Sequence, residues 1–457
     1  MFKTIFEAWK VKDIRTKMLY TLLLIVVYRL GSFIPVPCVN AAALGKLISN
    51  YDFLNFLDLF SGGSLSQFSI FAMGISPYIT GSIIMQLLTI AFPKLEKLSK
   101  DEDGRQKIEK INRYLGVALA LIQSVSIVVG LNSAAGASGS LLDKITWFGT
   151  SGFGAWLNKA MPYVLVGVCC TAGTAFLMWM GERITEKGIG NGVSILIFAS
   201  IVASVPQVVI NLINGTFHIK PVFNGQMMAP ALKWWVWIVV VAVVLILTVG
   251  IIMVDKSERR IPVQYAKRVV GRKLYGGQNT HIPLRPNANG VMPLIFAMTI
   301  LQVPGMIAQF WPNGKFNTVF IRQYFSPNAE TVWGLLIYYV LYAIMIVAFA
   351  YFYTSITFNP VEIAKNLQQN GGFIPGIRPG RPTSEYLQKK TNRLTLFGAF
   401  FLMVIAIVPT ILLRILDIGV LSSFGPTSIL IMISVSLEIA EQLDSLMLMR
   451  TYKGFLG

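Results

Sequence analysis

The chain has 457 residues, 54% of them hydrophobic, and a mean hydropathy of +0.63. Its 39 Lys and Arg outnumber 21 Asp and Glu to give a net charge of +18, yet charged residues make up only 13% of the chain, about half the share of an average soluble protein. Apolar runs of membrane-crossing length recur throughout, which excludes a basic soluble nucleic-acid binder and predicts a polytopic membrane protein.

Residues 1–17 set Phe2, Ile5, Phe6 and Trp9 at helical spacing among Lys3, Lys10, Lys12, Arg15 and Lys17. This predicts a short cytoplasmic amphipathic segment on an anionic membrane face. Ten spans of about 20 apolar residues follow: Met18–Ile34, Ile75–Phe92, Tyr114–Gly130, Met161–Met180, Val193–Ile213, Trp234–Val254, Val291–Phe310, Thr331–Phe352, Leu394–Leu413 and Ser428–Met449. The first is too long for the apolar core of a cleavable signal peptide. Of the 39 basic residues, 30 fall on one side of this arrangement and eight on the other, with Arg29 inside a span. The excess marks the cytoplasmic side, so both termini are expected there. Five spans in each half would insert similar halves with opposite orientation.

Cys38, Cys169 and Cys170 show no disulfide framework or metal-ligand spacing and read as small hydrophobic filler. Residues 60–74 are Gly/Ser-rich, too short to cross, and run into a span interrupted by Gly74 and Pro77. They form either a re-entrant segment, which needs a cavity or protein around it, or an interfacial loop.

Two cytoplasmic loops of about 36 residues are longer than simple connections require. In residues 255–290, the pairs Arg259-Arg260, Lys267-Arg268 and Arg272-Lys273 surround the alternating Ile261, Val263 and Tyr265, and Gly276-Gly277 could turn a strand back. Residues 357–393 carry Gly376-Ile377-Arg378-Pro379-Gly380-Arg381-Pro382, a rigid turn presenting two arginines. Topology explains the number of basic residues, while their grouping fits a large negatively charged partner such as ribosomal RNA or an acidic protein face.

No enzyme chemistry stands out. Gly188-Ile189-Gly190-Asn191-Gly192 opens an apolar span with no strand before it, so it is no dinucleotide loop. His218 and His281 fall on opposite sides, and no nucleotide, zinc-hydrolase or serine-hydrolase motif occurs. No cofactor or metal is implied. Ion-coupled transport needs titratable groups at mid-membrane, but Arg29 reads as a snorkelling or packing residue, and Glu438, Glu441 and Asp444 lie toward the cytoplasmic end of the last span. Branched apolar linings favour a channel. An ion-coupled secondary transporter and a non-conducting docking scaffold remain as alternatives.

Several long motifs occur in order: residues 28–35, 60–74 with Pro77-Tyr78-Ile79, 181–192, Tyr265-Ala266-Lys267-Arg268, Thr280-His281-Ile282-Pro283-Leu284 and 376–380. In these the chain closely resembles the SecY/Sec61-alpha family, the channels of the general protein-export translocon. The resemblance implies an all-α clamshell of ten transmembrane helices in two inverted five-helix halves, residues 18–217 and 218–457, with a re-entrant plug. It implies a pore ring of Ile75, Ile79, Val193, Ile197, Ile295 and Ile431, and a plug over about residues 61–72. The plug residues are Ser61, Gly62, Gly63, Ser64, Leu65, Ser66, Phe68, Ile70 and Phe71. Thr80, Gln86, Gln123 and Val303 would contribute to a lateral gate, and Arg259, Arg260, Arg272, Lys273 and Arg378 to docking. The implied setting is a bacterial cytoplasmic membrane. The implied partners are SecE and SecG subunits, the SecA motor ATPase, the ribosome, signal peptides and nascent chains, and membrane lipids. Pro426 stands where the family pattern has a second glycine, and Ser76 where a larger apolar residue is usual.

Overall fold

The computed structural model describes residues 2–39, 61–135, 153–217, 235–265, 268–270, 273–275, 279–287, 290–308, 314, 324–325, 331–415 and 426–453. Among these the helices are α1 (Phe2–Lys10), α2 (Lys12–Gly31), α3 (Ser76–Ala91), α4 (Pro93–Lys100), α5 (Glu102–Ala135), α6 (Phe153–Lys187) and α7 (Gly192–Phe217). Then come α8 (Trp235–Asp255), α9 (Met292–Ala308), α10 (Val332–Thr357), α11 (Pro360–Gln369), α12 (Arg381–Ile415) and α13 (Pro426–Lys453). Ten of them, α2, α3, α5 to α10, α12 and α13, occupy the ten expected spans. Among the described residues five helices are long and apolar enough to cross a membrane by themselves, or six if α3 and α4 count as one bent span. α2 and α13 carry charges along their lengths, while α7 and α9 contain Pro206 and Pro304 within the helix.

The helices overrun the apolar windows wherever basic residues continue them. α5 starts at Glu102 and α12 at Arg381, both well before the apolar stretch. Pro77 does not interrupt α3. It sits in the first turn, where its missing N–H has no helical partner to lose. The break falls at Phe92, which is extended ahead of Pro93, and the chain bends there by 110° into α4.

One large apolar cluster runs through α2, α3, α6 to α10, α12 and α13. A second packs Leu65, Phe68, Ala72 and Met73 against Ile127, Val128, Val166 and Cys170 of α5 and α6. A third joins Ala8 and Ile14 to Ile189 and Leu443, so α1 seats on the end of α13 while Phe6 and Trp9 stay exposed.

The glycine-rich 188–192 segment is a tight reversal between α6 and α7. Gly190 adopts φ +80, a Cβ on Gly192 would overlap the Gly181 carbonyl, and Thr185 Oγ1 accepts from the Gly192 N–H at 2.8 Å. Asn191 Oδ1 caps α7 by accepting from the Val193 N–H at 3.0 Å.

The expected hairpin is there and is larger than anticipated. β1 (Arg259–Tyr265) pairs antiparallel with β4 (Asn279–Leu284), Ile261 facing Ile282, and β5 (Gly372–Phe373) adds from the second long loop. β2 (Arg268–Val270) and β3 (Lys273–Tyr275) form a separate two-stranded ladder. The suggested turn at Gly276-Gly277 lies outside the described residues. Ile261 and Val263 bury against Leu284, Leu367, Ile374 and Leu387, so the two loops share one core.

Candidate functional site

The six predicted ring residues come from four helices of the large cluster. Ile75 and Ile79 lie one turn apart at the start of α3, Val193 and Ile197 one turn apart on α7, Ile295 on α9 and Ile431 on α13. The i, i+4 spacing puts each pair on one helix face. Five of the six are buried members of the large cluster and Val193 packs against it half-buried. All six are branched and apolar, and none offers a chelating group.

Residues 61–75 fold as successive turns, with Phe71 and Ile75 in the large cluster and Leu65, Phe68, Ala72 and Met73 in the second. Ser61, Ser64, Leu65, Phe68 and Phe71 are buried, and Gly62, Gly63, Ser66 and Ile70 half-buried. Gly62 and Gly63 adopt φ +66 and +82, where glycine avoids the Cβ penalty of the left-handed region. One end is held by α2 and α7. Tyr28 Oη donates to the Ser61 carbonyl at 2.9 Å and shares a 2.6 Å hydrogen bond with Ser200 Oγ, while Arg29 Nη1 donates to the Gly62 carbonyl at 3.0 Å. The other end pairs with residues after α2: the Val36 N–H donates to the Phe68 carbonyl at 2.9 Å and the Ile70 N–H to the Ile34 carbonyl at 3.0 Å. Phe71 stacks between Tyr28 and Phe176, with centroids 5.9 and 6.0 Å away. A Cβ on Gly31 would overlap the Phe71 ring, and one on Gly173 would overlap the Ile70 carbonyl. Arg29 is therefore tied to this segment, with its guanidinium also over the Phe33 ring at 5.6 Å, which replaces the snorkelling reading.

α9 packs against both α3 and α5. Along this seam Gln123 is buried on α5 and Val303 half-buried on α9, while Thr80 Oγ1 donates within its own helix to the Ser76 carbonyl. Gln86 makes the bond across: its Oε1 accepts from Tyr353 Oη of α10 at 2.7 Å. The Tyr353 ring in turn lies 5.0 Å from Phe296. Tyr353 was not identifiable from sequence, because nothing local links a phenol to an amide 267 residues away. In Tyr353→Phe the ring packing stays and the crossing bond is lost, a change of about 1 kcal/mol. If the seam is the gate, export of a precursor with a weakened signal sequence rises by about fivefold. Unchanged export would remove this bond from the gate.

On the basic loops, Arg259, Arg260 and Arg378 are exposed. Arg260 pairs with Glu258 at 2.6 Å, and this guanidinium holds the Glu258 carboxyl below the usual carboxylate range. Arg381 pairs with Glu385 at 2.9 Å. Among the described residues, Arg259 and Arg378 have no acidic partner. Gly376 and Gly380, at φ +81 and +98, shape the turn that lifts Arg378 outward, and Thr383 Oγ1 donates to the Arg378 carbonyl at 2.8 Å. Arg272 and the side chain of Lys273 lie outside the described residues.

The SecY family model matches residues 69–440. The chain is 41% identical to a protein translocase subunit SecY of Streptomyces galbus, with 98% of each chain covered. It is 40% identical to that of Halalkalibacterium halodurans, with both chains covered completely. Among solved structures, one described as a protein-conducting channel aligns with a TM-score of 0.62 at 17% identity, over 94% of this chain and 92% of the other. A structure on the SecY plug domain, described as stabilising the closed channel, gives 0.60 at 17% identity with the same coverage. Sec61 in a canine ribosome–channel complex gives 0.56 at 15% identity, over 94% and 92%. With full-length identity near two residues in five and a family model spanning most of the chain, this protein belongs to the SecY family.

Proposed function

We propose that the chain is the protein-conducting subunit of a general secretory translocon. It passes unfolded polypeptides across a bacterial cytoplasmic membrane and releases hydrophobic segments sideways into lipid. The observation that carries this reading is the apolar cluster of Ile75, Ile79, Ile197, Ile295 and Ile431, with Val193 against it and residues 61–72 packed beside it. Such a constriction seals against ions yet yields to a polypeptide, because no fixed ligand has to be displaced. In this reading residues 18–217 and 218–457 are two inverted halves, the seam of α3 and α5 with α9 is the lateral gate, and both termini are cytoplasmic.

Arg259, Arg260, Arg272, Lys273 and Arg378 then form a docking face for a SecA-type motor ATPase or a ribosome. The canine relative sits in a ribosome–channel complex, which supports the second partner. SecE- and SecG-type subunits complete the complex. Energy comes from the docked partner or the membrane potential, since the sequence offers no phosphate loop.

Reconstitution in proteoliposomes tests the proposal. A secretory precursor should become protease-protected when motor ATPase and ATP are supplied. Saturable, ion-driven uptake of a small solute with no precursor protection would establish the transporter alternative instead.

A further inference from the structure

The two legs of the β1/β4 hairpin end on one carboxylate. Asp255 closes α8 just before β1 begins, and Asn287 follows β4 on the way into α9. Asn287 Nδ2 donates to Asp255 Oδ1 at 2.7 Å, and Ser434 Oγ of α13 donates to Asp255 Oδ2 at 2.8 Å. The two residues before Asn287 make further attachments. Arg285 Nη1 pairs with Glu441 Oε2 of α13 at 3.0 Å, and a Cβ on Gly398 of α12 would overlap the Pro286 carbonyl.

This placement is mechanically specific. The ladder is continuous from Arg259–Leu284 to Gln264–Asn279, a stiff lever about 20 Å long. Its far end is joined by β5 from the loop that carries Arg378. Its base is bonded to the helix holding Ile431, with Ser434 less than one turn beyond Ile431 on α13, and its β4 leg leads on toward α9, which holds Ile295. A tilt of the hairpin therefore bears on α13 through Ser434 and on the segment that leads into α9 through Asn287, the two partners of the Asp255 carboxylate.

We propose that Asp255, Asn287 and Ser434, with the Arg285–Glu441 pair, form the joint that transmits docking on the basic loops to the pore-lining helices of the second half. They are positioning residues, and the proposal rests on the docking reading above. The two sites communicate through one packed lever with a polar fulcrum.

The test uses the full channel complex in proteoliposomes, with a SecA-type motor ATPase and an unfolded precursor as probes. Asn287→Asp sets a second carboxylate against Asp255. It should leave the Kd for the motor within about twofold of wild type and lower the maximal translocation rate about tenfold. The reversed pair Asp255→Asn with Asn287→Asp restores an amide–carboxylate bond and should recover most of that rate. Arg285→Glu and its rescue by Glu441→Arg give a second reading at a half-exposed site where folding is not at stake. Full rate in both single variants, or no recovery in either reversed pair, overturns the joint, as does a Kd that weakens in proportion to the rate. If Arg378→Glu binds the motor as tightly as wild type, the docking reading itself fails and the joint falls with it.

Discussion

In a channel carrying both Tyr28→Phe and Arg29→Gln, the resting pore is expected to leak ions, with the displaced-plug population raised by about two orders of magnitude. Tyr28 Oη is buried and bonded to both the Ser61 carbonyl and Ser200 Oγ. Removing it costs about 1 kcal/mol, because Ser61 O still accepts from Ser64 Oγ and Ser200 Oγ still reaches the Leu196 carbonyl. The Arg29 bond to the Gly62 carbonyl is charge-assisted and half-buried, so its loss adds about 1.5–2 kcal/mol. Together they approach 3 kcal/mol, or about a hundredfold. The phenyl ring left by Tyr28→Phe keeps the stack on Phe71, so the span should still fold. Single-channel recording in planar bilayers measures the effect. A double variant as tight as wild type would show that these bonds do not hold the plug. Ser200→Ala, which removes one hydrogen-bond partner of Tyr28 and leaves the Ser61 carbonyl in place, should lie between the extremes.

Arg378→Glu is expected to have an effect of similar size. The side chain is exposed, stands on a turn shaped by two left-handed glycines, and has no acidic partner among the described residues. Its charge is thus available to an incoming anionic surface, whereas Arg260 and Arg381 already face Glu258 and Glu385. If Arg378 faces the docked partner, reversing its charge costs about 2–5 kcal/mol, enough to abolish partner-driven export at ordinary partner concentrations. Membrane insertion and accumulation of the channel should be unchanged, because the turn makes its structural bond through the Arg378 carbonyl. Export assayed with and without the partner checks this, and undiminished export would remove Arg378 from the docking face.

The spans were legible because membrane burial writes itself as long apolar windows, whereas the six ring positions came only from the family motifs. Helix ends were less so. α2, α5 and α12 begin among charged residues, which continue a helix into an interface without appearing apolar. Ile261 and Val263 announced a strand by alternation, and both are buried as that pattern requires. The pairing of β1 with β5 was not legible, since it joins distant segments of the chain through only Gln264–Phe373 and Tyr265–Gly372. The contacts of Tyr28, Ser200, Gly173 and Tyr353 were not legible for the same reason. Each is an ordinary membrane-helix residue until the fold places a carbonyl, hydroxyl or amide beside it.

A translocating polypeptide is expected to pass through the positions of Ile75, Ile79, Val193, Ile197, Ile295 and Ile431. This is tested most directly by stalling a secretory precursor in the channel and probing for contact. Cys38, Cys169 and Cys170 are first replaced, since all three are free thiols. Single cysteines are then placed at Ile79 and Ile197, with an outward-facing control at Leu22 on the exposed face of α2. The stalled chain should crosslink to Ile79→Cys and Ile197→Cys and not to Leu22→Cys. Crosslinks at Leu22→Cys with none at the two cluster positions would contradict the claim and place the path of the chain elsewhere.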